Sequence, residues 1–160
     1  MKITAIDTYQ LVSPLERSFG WSQGWIDHRS ANVVKISTDA GITGWGEGGG
    51  MHLIHSLLAP LLIGADPTNR VGLWEQMLGA MWNNTTYGGY GGSAFSAVDI
   101  ALWDIAGKVL GVPVTTLLGG RIRDRIAVYA TGLYYTEGEF PTRLIDEAMG
   151  YVDAGFKGMK

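Results

Sequence analysis

Residues 93–110, SAFSAVDIALWDIAGKVL, constrain the fold more than any other stretch of this 160-residue chain. Read as a helix over 94–110 with Ser93 as its N-cap, the segment is apolar on nearly every face. A helix of that kind belongs in the centre of a domain and not on its surface. The rest of the chain must therefore wrap it. Gly111 closes the helix and Pro113 prevents its continuation. VTTLLGG, residues 114–120, adds one short helical turn and a stop.

What precedes the helix reads first as sheet. In residues 2–12, Ile3, Ala5, Tyr9 and Leu11 share one parity, the pattern of a half-buried strand. Residues 31–38, ANVVKIST, are β-branched, DAG at 39–41 is a tight-turn signal, and ITGWGE at 42–47 returns as a third strand. An antiparallel meander is the economical reading. Residues 13–29 break the pattern: Pro14, Gly20 and Gly24 punctuate it, and Phe19, Trp21 and Trp25 sit inside it. Two helices follow, over 52–63 with Pro60 as a break and over 68–82. In the second, Val71, Trp74, Met77, Leu78 and Met81 recur at helical steps. YGGYGGS, residues 87–93, reads as a hinge-like loop.

A boundary comes at RIRDR, residues 121–125, the most charged stretch. Beyond it, a strand over 126–130, a helix over 141–154 capped by Gly155 and a strand over 156–160 make a β-α-β unit of a parallel sheet or barrel. The fold class is α+β. Residues 1–120 form one domain, a three-stranded antiparallel meander followed by a helical bundle. Residues 121–160 open a second.

The totals exclude several functions. A net charge of −3 offers no basic face for nucleic acid. No cysteine is present for thiol chemistry. The N-terminus lacks a signal-peptide core, and no window approaches the roughly 18 apolar residues of a membrane span. A soluble, cytoplasmic protein is expected.

Several motifs admit two readings. GWGEGG, residues 44–49, matches G-x-G-x-x-G, with Asp66 at the spacing of the ribose-binding acid. Yet Asp66 lies in a turn feeding a helix, so a flexible loop after an edge strand is the better account. His52 and His55 share a helix face but have no third ligand nearby, which favours a surface or packing role over a metal site. Asp99 and Asp104 could do acid–base work. Their five-residue spacing points them apart, and Asp104 can pair with Lys108 at i+4. Each acid is expected to tie the helix to its neighbours. The aromatic residues of 13–29 could close over a ligand or simply pack.

Residues 93–120 resemble the signature of the mandelate racemase and muconate lactonizing enzyme group of the enolase superfamily. Ala97, Asp99, Ala101, Leu102, Trp103, Asp104, Gly107, Lys108, Gly111, Pro113 and the closing Leu117, Leu118, Gly119 and Gly120 carry the likeness. GWGE at 44–47 is similar to the end of that family's third strand. VYATG at 128–132 and AGFKGMK at 154–160 resemble its first two barrel strands.

The resemblance implies an enolase-like capping domain over residues 1–120 and then the start of a (β/α)7β barrel like that of triosephosphate isomerase. It implies α-proton abstraction from a small carboxylate substrate held on Mg²⁺, with a Lys or His base. Lys160 matches the first lysine of a K-x-K pair, the one set against the substrate carboxylate. The base and the acidic metal ligands would lie beyond residue 160, so no metal ligand is assigned within this chain. Substrate contacts fall by resemblance on residues 18–28, with Phe19, Trp21 and Trp25, on Met51 and His52, and more weakly on Thr131 and Tyr134. The mix of aromatic and polar loop residues leans toward an acid-sugar dehydratase over a racemase or cycloisomerase. The remainder of the barrel is expected on the same gene or a second chain, and the assembly as a homo-oligomer. The 160 residues alone are expected to be inactive. A non-catalytic capping or oligomerisation module and an aromatic-loop carbohydrate binder are the competing readings.

Overall fold

The structure, a computed structural model, describes residues 1–83 and 89–160, Asn83 by its backbone alone. Three strands form one sheet in the order β1 (Ile3–Trp21), β2 (Gly24–Thr38) and β3 (Thr43–Glu47). β1 and β2 are joined by the two residues Ser22 and Gln23, so they form a tight antiparallel hairpin. β2 and β3 pair antiparallel, with Val34 opposite Gly46 and Lys35 opposite Trp45. The expected DAG turn lies between them, with Gly41 at φ 74°.

Residues 13–29, expected as an irregular loop, are strand. β1 and β2 simply continue past the expected break. Pro14 stands on β1, an edge strand, the place in a sheet where proline is found.

The helical part comprises α1 (Met51–Leu53), α2 (Ala59–Leu62), α3 (Arg70–Asn83), α4 (Gly89–Leu110), α5 (Val114–Leu117) and α6 (Thr142–Asp153). A π-helical turn, Ile54–Leu58, joins α1 to α2. Pro60 follows it and supplies no N–H to the carbonyl one turn back, which is where the helical ladder changes period.

The chain divides into two compact units. The first comprises Met1–Leu11 and Ser30–Arg121, the second Val12–Arg29 and Ile122–Lys160. In the first, the core gathers Ile3, Val34 and Ile36 from the sheet, Ile54, Leu58 and Leu62 from the first helical segment, Leu73, Met77 and Met81 from α3, and a stripe on α4. Val71, expected on the apolar face of α3, is 74% exposed. The stripe on α4 is Ala94, Ala97, Val98, Ala101, Leu102 and Ile105, at helical spacing. α4 is therefore buried on one side and not all round: Ile100 and Leu110 are exposed.

α4 also begins earlier than the Gly-rich sequence predicts. Residues 89–93 are its first turn, while Tyr87 and Gly88 lie outside the described residues. Ser93 is not an N-cap. Its Oγ accepts the N–H of Gly49 at 2.5 Å. Tertiary packing overrides glycine's weak helix propensity here, because Gly48, Gly49 and Gly50 all approach residues 90–94 closely.

GWGEGG is explained by the same packing. Gly44, Gly46 and Gly48 alternate along one face of the chain through β3 and meet the backbone of α4 at Ala101, Ala97 and Ser93. A β-carbon on Gly48 would stand 2.5 Å from the Ser93 carbonyl oxygen, and at Gly44 and Gly46 closer still to those of Ala101 and Ala97. The motif is neither a nucleotide cradle nor a loose loop: it lets a strand lie on a helix without side chains between them.

Asp104 ties the helix to its neighbours as expected. Its Oδ2 accepts the N–H of Trp45 at 2.9 Å and the Lys108 ammonium at 2.7 Å, while Lys108 also donates to the Thr43 carbonyl at 2.8 Å. Both backbone groups belong to β3, an edge of the sheet. The ion pair thus occupies polar groups that would otherwise invite a fourth strand.

In the second unit, the expected strands 126–130 and 156–160 reduce to one parallel bridge between Ala130 and Met159. Residues 126–129 are exposed and lie outside any ladder, so regular strand does not extend through them. The β-α-β pairing itself is present. Ala130 donates to the Gly158 carbonyl and accepts from the Lys160 N–H at 2.9 Å, and Gly132 donates to the Lys160 carbonyl at 2.8 Å. Gly155 follows α6 at φ 86°, as its expected capping role requires.

Candidate functional site

The arm of the hairpin in the second unit is held at Gly20. Its N–H donates to the Tyr135 carbonyl and its carbonyl accepts the Tyr135 N–H, both at 2.8 Å. An antiparallel bridge of this kind sets adjacent side chains in register. Phe19 accordingly lies against Tyr134, ring centroids 4.6 Å apart, and the Arg29 guanidinium sits over the Phe19 ring, 4.6 Å from its centre. The Trp25 indole packs on Gly20, where a β-carbon would come within 2.8 Å of it. Trp21 and Trp25 remain 40% and 54% exposed, large apolar surfaces that this chain leaves open.

Polar groups flank these rings. His28 Nδ1–H donates to Asp27 Oδ1 at 2.6 Å. That bond, with the backbone hydrogen bond and the imidazole's charge behind it, holds the Asp27 carboxyl below its ordinary range. Two residues before Phe19 in the same strand, Arg17 donates to Glu139 at 2.6 Å, with Arg143 at 3.4 Å from the same carboxylate. Arg17 is the main cause of a lowered Glu139 carboxyl. A cavity of about 520 Å³ lined by Arg17, Ser18 and Thr136 lies beside this pair.

The backbone between Ala130 and Tyr134 is tightly specified. Thr131 is exposed. Gly132 faces the Tyr151 hydroxyl and Glu147, which fill the space a β-carbon would need. Tyr151 donates to Glu147 Oε1 at 2.5 Å, and that bond pushes the phenol up from its ordinary value. Leu133 adopts φ 59°, a conformation that a branched side chain rarely takes and that turns the chain toward Tyr134. Lys160 is exposed, its backbone paired to Ala130 and Gly132.

Of the predicted site residues, Phe19, Trp21, Trp25, Thr131, Tyr134 and Lys160 share the second unit, and Phe19 and Tyr134 touch. Met51 and His52 belong to the first unit. His52 is exposed and its carbonyl accepts the Ser56 hydroxyl at 2.8 Å. His55 bonds Thr8 at 2.8 Å, a packing role in line with the sequence reading. Sequence reasoning missed Arg29, Tyr135 and the Arg17–Glu139 pair. The signal was present in WSQGW, residues 21–25: two aromatic residues around a two-residue turn mark a hairpin tip. Reading 13–29 as hairpin would have put Arg17 and Phe19 on one face.

Among the described residues no group of three or more His, Asp or Glu side chains could hold a metal ion. None of their helices is long and apolar enough to cross a membrane.

A three-stranded antiparallel sheet followed by helices is the arrangement of the N-terminal capping domain of enolase-superfamily proteins. The family model for the mandelate racemase / muconate lactonizing enzyme N-terminal domain matches residues 5–119, and the chain belongs to that family. A D-galactonate dehydratase from Verminephrobacter eiseniae is 39% identical over the whole chain, which covers 38% of that relative. A D-galactarolactone cycloisomerase from Agrobacterium fabrum is 36% identical over 84% of the chain and 36% of its own length. Among solved structures, an enolase-superfamily member from Polaromonas sp. JS666 superposes with a TM-score of 0.84 at 36% identity, over 99% of this chain and 43% of that one. A mandelate racemase/muconate lactonizing enzyme-type protein from Roseovarius nubinhibens, complexed with magnesium, matches with a TM-score of 0.77 at 29% identity, over 99% and 43%. The chain thus spans well under half the length of these relatives.

Proposed function

We propose that these residues are the N-terminal part of an acid-sugar dehydratase that abstracts the proton α to a carboxylate, and that the part described here recognises the substrate. The observation that supports this reading best is the hairpin tip. Exposed Trp21 and Trp25 and the Phe19–Tyr134 pair offer flat apolar faces, while Asp27, His28 and Arg29 offer hydrogen-bonding and cationic groups. Sugar acids present both C–H faces and hydroxyl groups, so a site of mixed aromatic and polar character suits them. The dehydratase among the relatives acts on a compound of that class, as its name says. A cycloisomerase is the second reading, supported by the relative that takes a sugar lactone.

Magnesium fits no cluster of the described residues. In this reading its ligands lie on residues outside the 160, and no step is assigned to it here. By resemblance Lys160 would stand beside the substrate carboxylate, where an ammonium group stabilises negative charge and depresses the pKa of a neighbouring lysine. Thr131 and Tyr134 would border the same carboxylate; Met51 and His52 are substrate-contact candidates by resemblance alone.

The test is solvent exchange at the α-carbon. The 160-residue polypeptide, incubated with Mg²⁺ and galactonate in D₂O, is expected to give no α-deuterium by NMR. Joined to the remaining barrel segment of the Verminephrobacter relative, it is expected to give exchange or dehydration, lost on Lys160→Ala. Exchange by the 160 residues alone would overturn the assignment of base and metal ligands to other residues.

A further inference from the structure

The Arg29 guanidinium lies over the Phe19 ring, and Phe19 lies in turn against Tyr134. All three belong to the second unit. The end of that unit on which they stand is fixed by the parallel bridge between Ala130 and Met159. Both segments leave the bridge in one direction, one to Lys160 and the other through Gly132 to Tyr134. Gly132 still donates to the Lys160 carbonyl, so the two run out side by side. Tyr134 and Lys160 therefore mark the C-terminal end of the paired segments. Ligands of parallel β/α sheets and barrels gather at that end. Through Phe19, the guanidinium is held beside it.

Arg29 is exposed, and among the described residues its side chain makes no hydrogen bond or ion pair. The acid two residues before it, Asp27, bonds His28 instead. Stacking holds the guanidinium by its flat face and leaves its charge unneutralised. Its in-plane N–H donors stay available as a planar fork whose geometry matches a carboxylate. Packing on Phe19 alone needs only an apolar stem. A fixed and unpaired fork adds the means to hold an anion.

We propose that Arg29 receives a second carboxylate on the substrate, whose preferred form is then a sugar diacid, one carboxylate at Lys160 and the other at Arg29. The inference rests on the acid-sugar reading above and narrows it from sugar acids in general to those charged at both ends. The carbons between the two charges offer C–H groups to the faces of Phe19 and Tyr134. A hydroxymethyl end in place of the second carboxylate would give the fork only an uncharged acceptor, about half as strong.

NMR titration of the 160-residue chain tests this without turnover, since Arg29, Phe19, Tyr134 and Lys160 all belong to it. Galactarate and galactonate differ only at the far carbon, a carboxylate in one and a hydroxymethyl in the other. Galactarate is expected to move the Arg29 Nε–H and Phe19 ring signals saturably, and to bind roughly tenfold or more tightly than galactonate. Arg29→Gln is expected to bring galactarate down to the galactonate affinity. A loss by the same factor for both acids would mean that Arg29 only props Phe19, and overturns the proposal. So does the absence of a saturable shift, or acetate binding as tightly as galactarate. Tighter binding of 6-phosphogluconate than of galactarate overturns it in favour of a phosphorylated acid. Turnover by the fused enzyme is read separately. Dehydration of galactonate there, beside no Arg29-dependent preference here, sinks this inference and leaves the dehydratase reading standing. An Arg29-dependent preference for galactarate, with neither acid turned over, does the reverse.

Discussion

Gly46 of β3 and Ala97 of α4 meet backbone to backbone: a β-carbon on the glycine would collide with the alanine carbonyl oxygen. Gly44 repeats the relationship at Ala101. The strand and the central helix are therefore in contact through glycine on one side and alanine on the other. Replacing Gly46 with alanine is expected to destabilise the chain by about 1–3 kcal/mol, the usual range for overpacking. Gly79, in α3 with no atoms nearby, serves as the control. There alanine is expected to stabilise by about 0.5–1 kcal/mol through helix propensity. Urea unfolding of the two variants decides the point, and equal effects would remove the close-packing account.

The Asp104 carboxylate separates a hydrogen-bond role from an ion-pair role. Asp104→Ala removes the acceptor of the Trp45 N–H as well as the ion pair and is expected to cost about 0.5–1.5 kcal/mol for the hydrogen bond. Asp104→Asn keeps an acceptor and gives up only the half-exposed ion pair, worth at most about 1 kcal/mol. High salt should therefore imitate Asn and not Ala. A faster rise in light scattering for the Ala variant would report the uncovered edge of β3.

Glu139 gives a pH dependence with a definite sign. Arg17 holds its carboxyl below the ordinary 4.5. A carboxylate lowered in the folded state stabilises above the unfolded value and loses that contribution as pH falls through the folded one. The Gly20 and Tyr135 amide shifts are expected to move at that lowered midpoint in an NMR titration, because the same contact holds the hairpin arm. Arg17→Ala should raise the Glu139 midpoint toward 4.5, with Arg143 alone remaining to depress it. An unmoved midpoint would mean that the pair does not persist in solution.

Gly132→Ala tests the packing under Tyr134. The added methyl competes with the Tyr151 hydroxyl for its place beside Glu147. The phenol, now pushed up by that carboxylate, is expected to titrate nearer its ordinary 10.0 once displaced. Ultraviolet titration reads this directly. A Tyr151 that titrates as in the wild type would show that the chain gives way elsewhere.

Much of this molecule was legible in residue order. The existence of α4, the strands of the meander, the β-α-β order and the Asp104–Lys108 pair all depend on local periodicity or on i, i+4 neighbours, which a linear sequence displays. The resemblance of residues 93–120 to a known signature led directly to the family. What the order of residues could not reveal depends on contacts distant along the chain. Nothing local tells glycine in a loop from glycine pressed against a helix, so GWGEGG reads as a loop and residues 89–93 as a hinge until β3 meets α4. The broken alternation of 13–29 hides a strand that only the WSQGW turn betrays, and nothing local shows that Gly20 bridges Tyr135, more than a hundred residues on. Phe19 beside Tyr134 and Arg70 above Trp103 exist only once the fold has closed those distances. Sequence sets which segments can become helix or strand through local sterics and hydrophobic period. Tertiary structure alone decides which faces are left open, because exposure is a property of neighbours and not of residues.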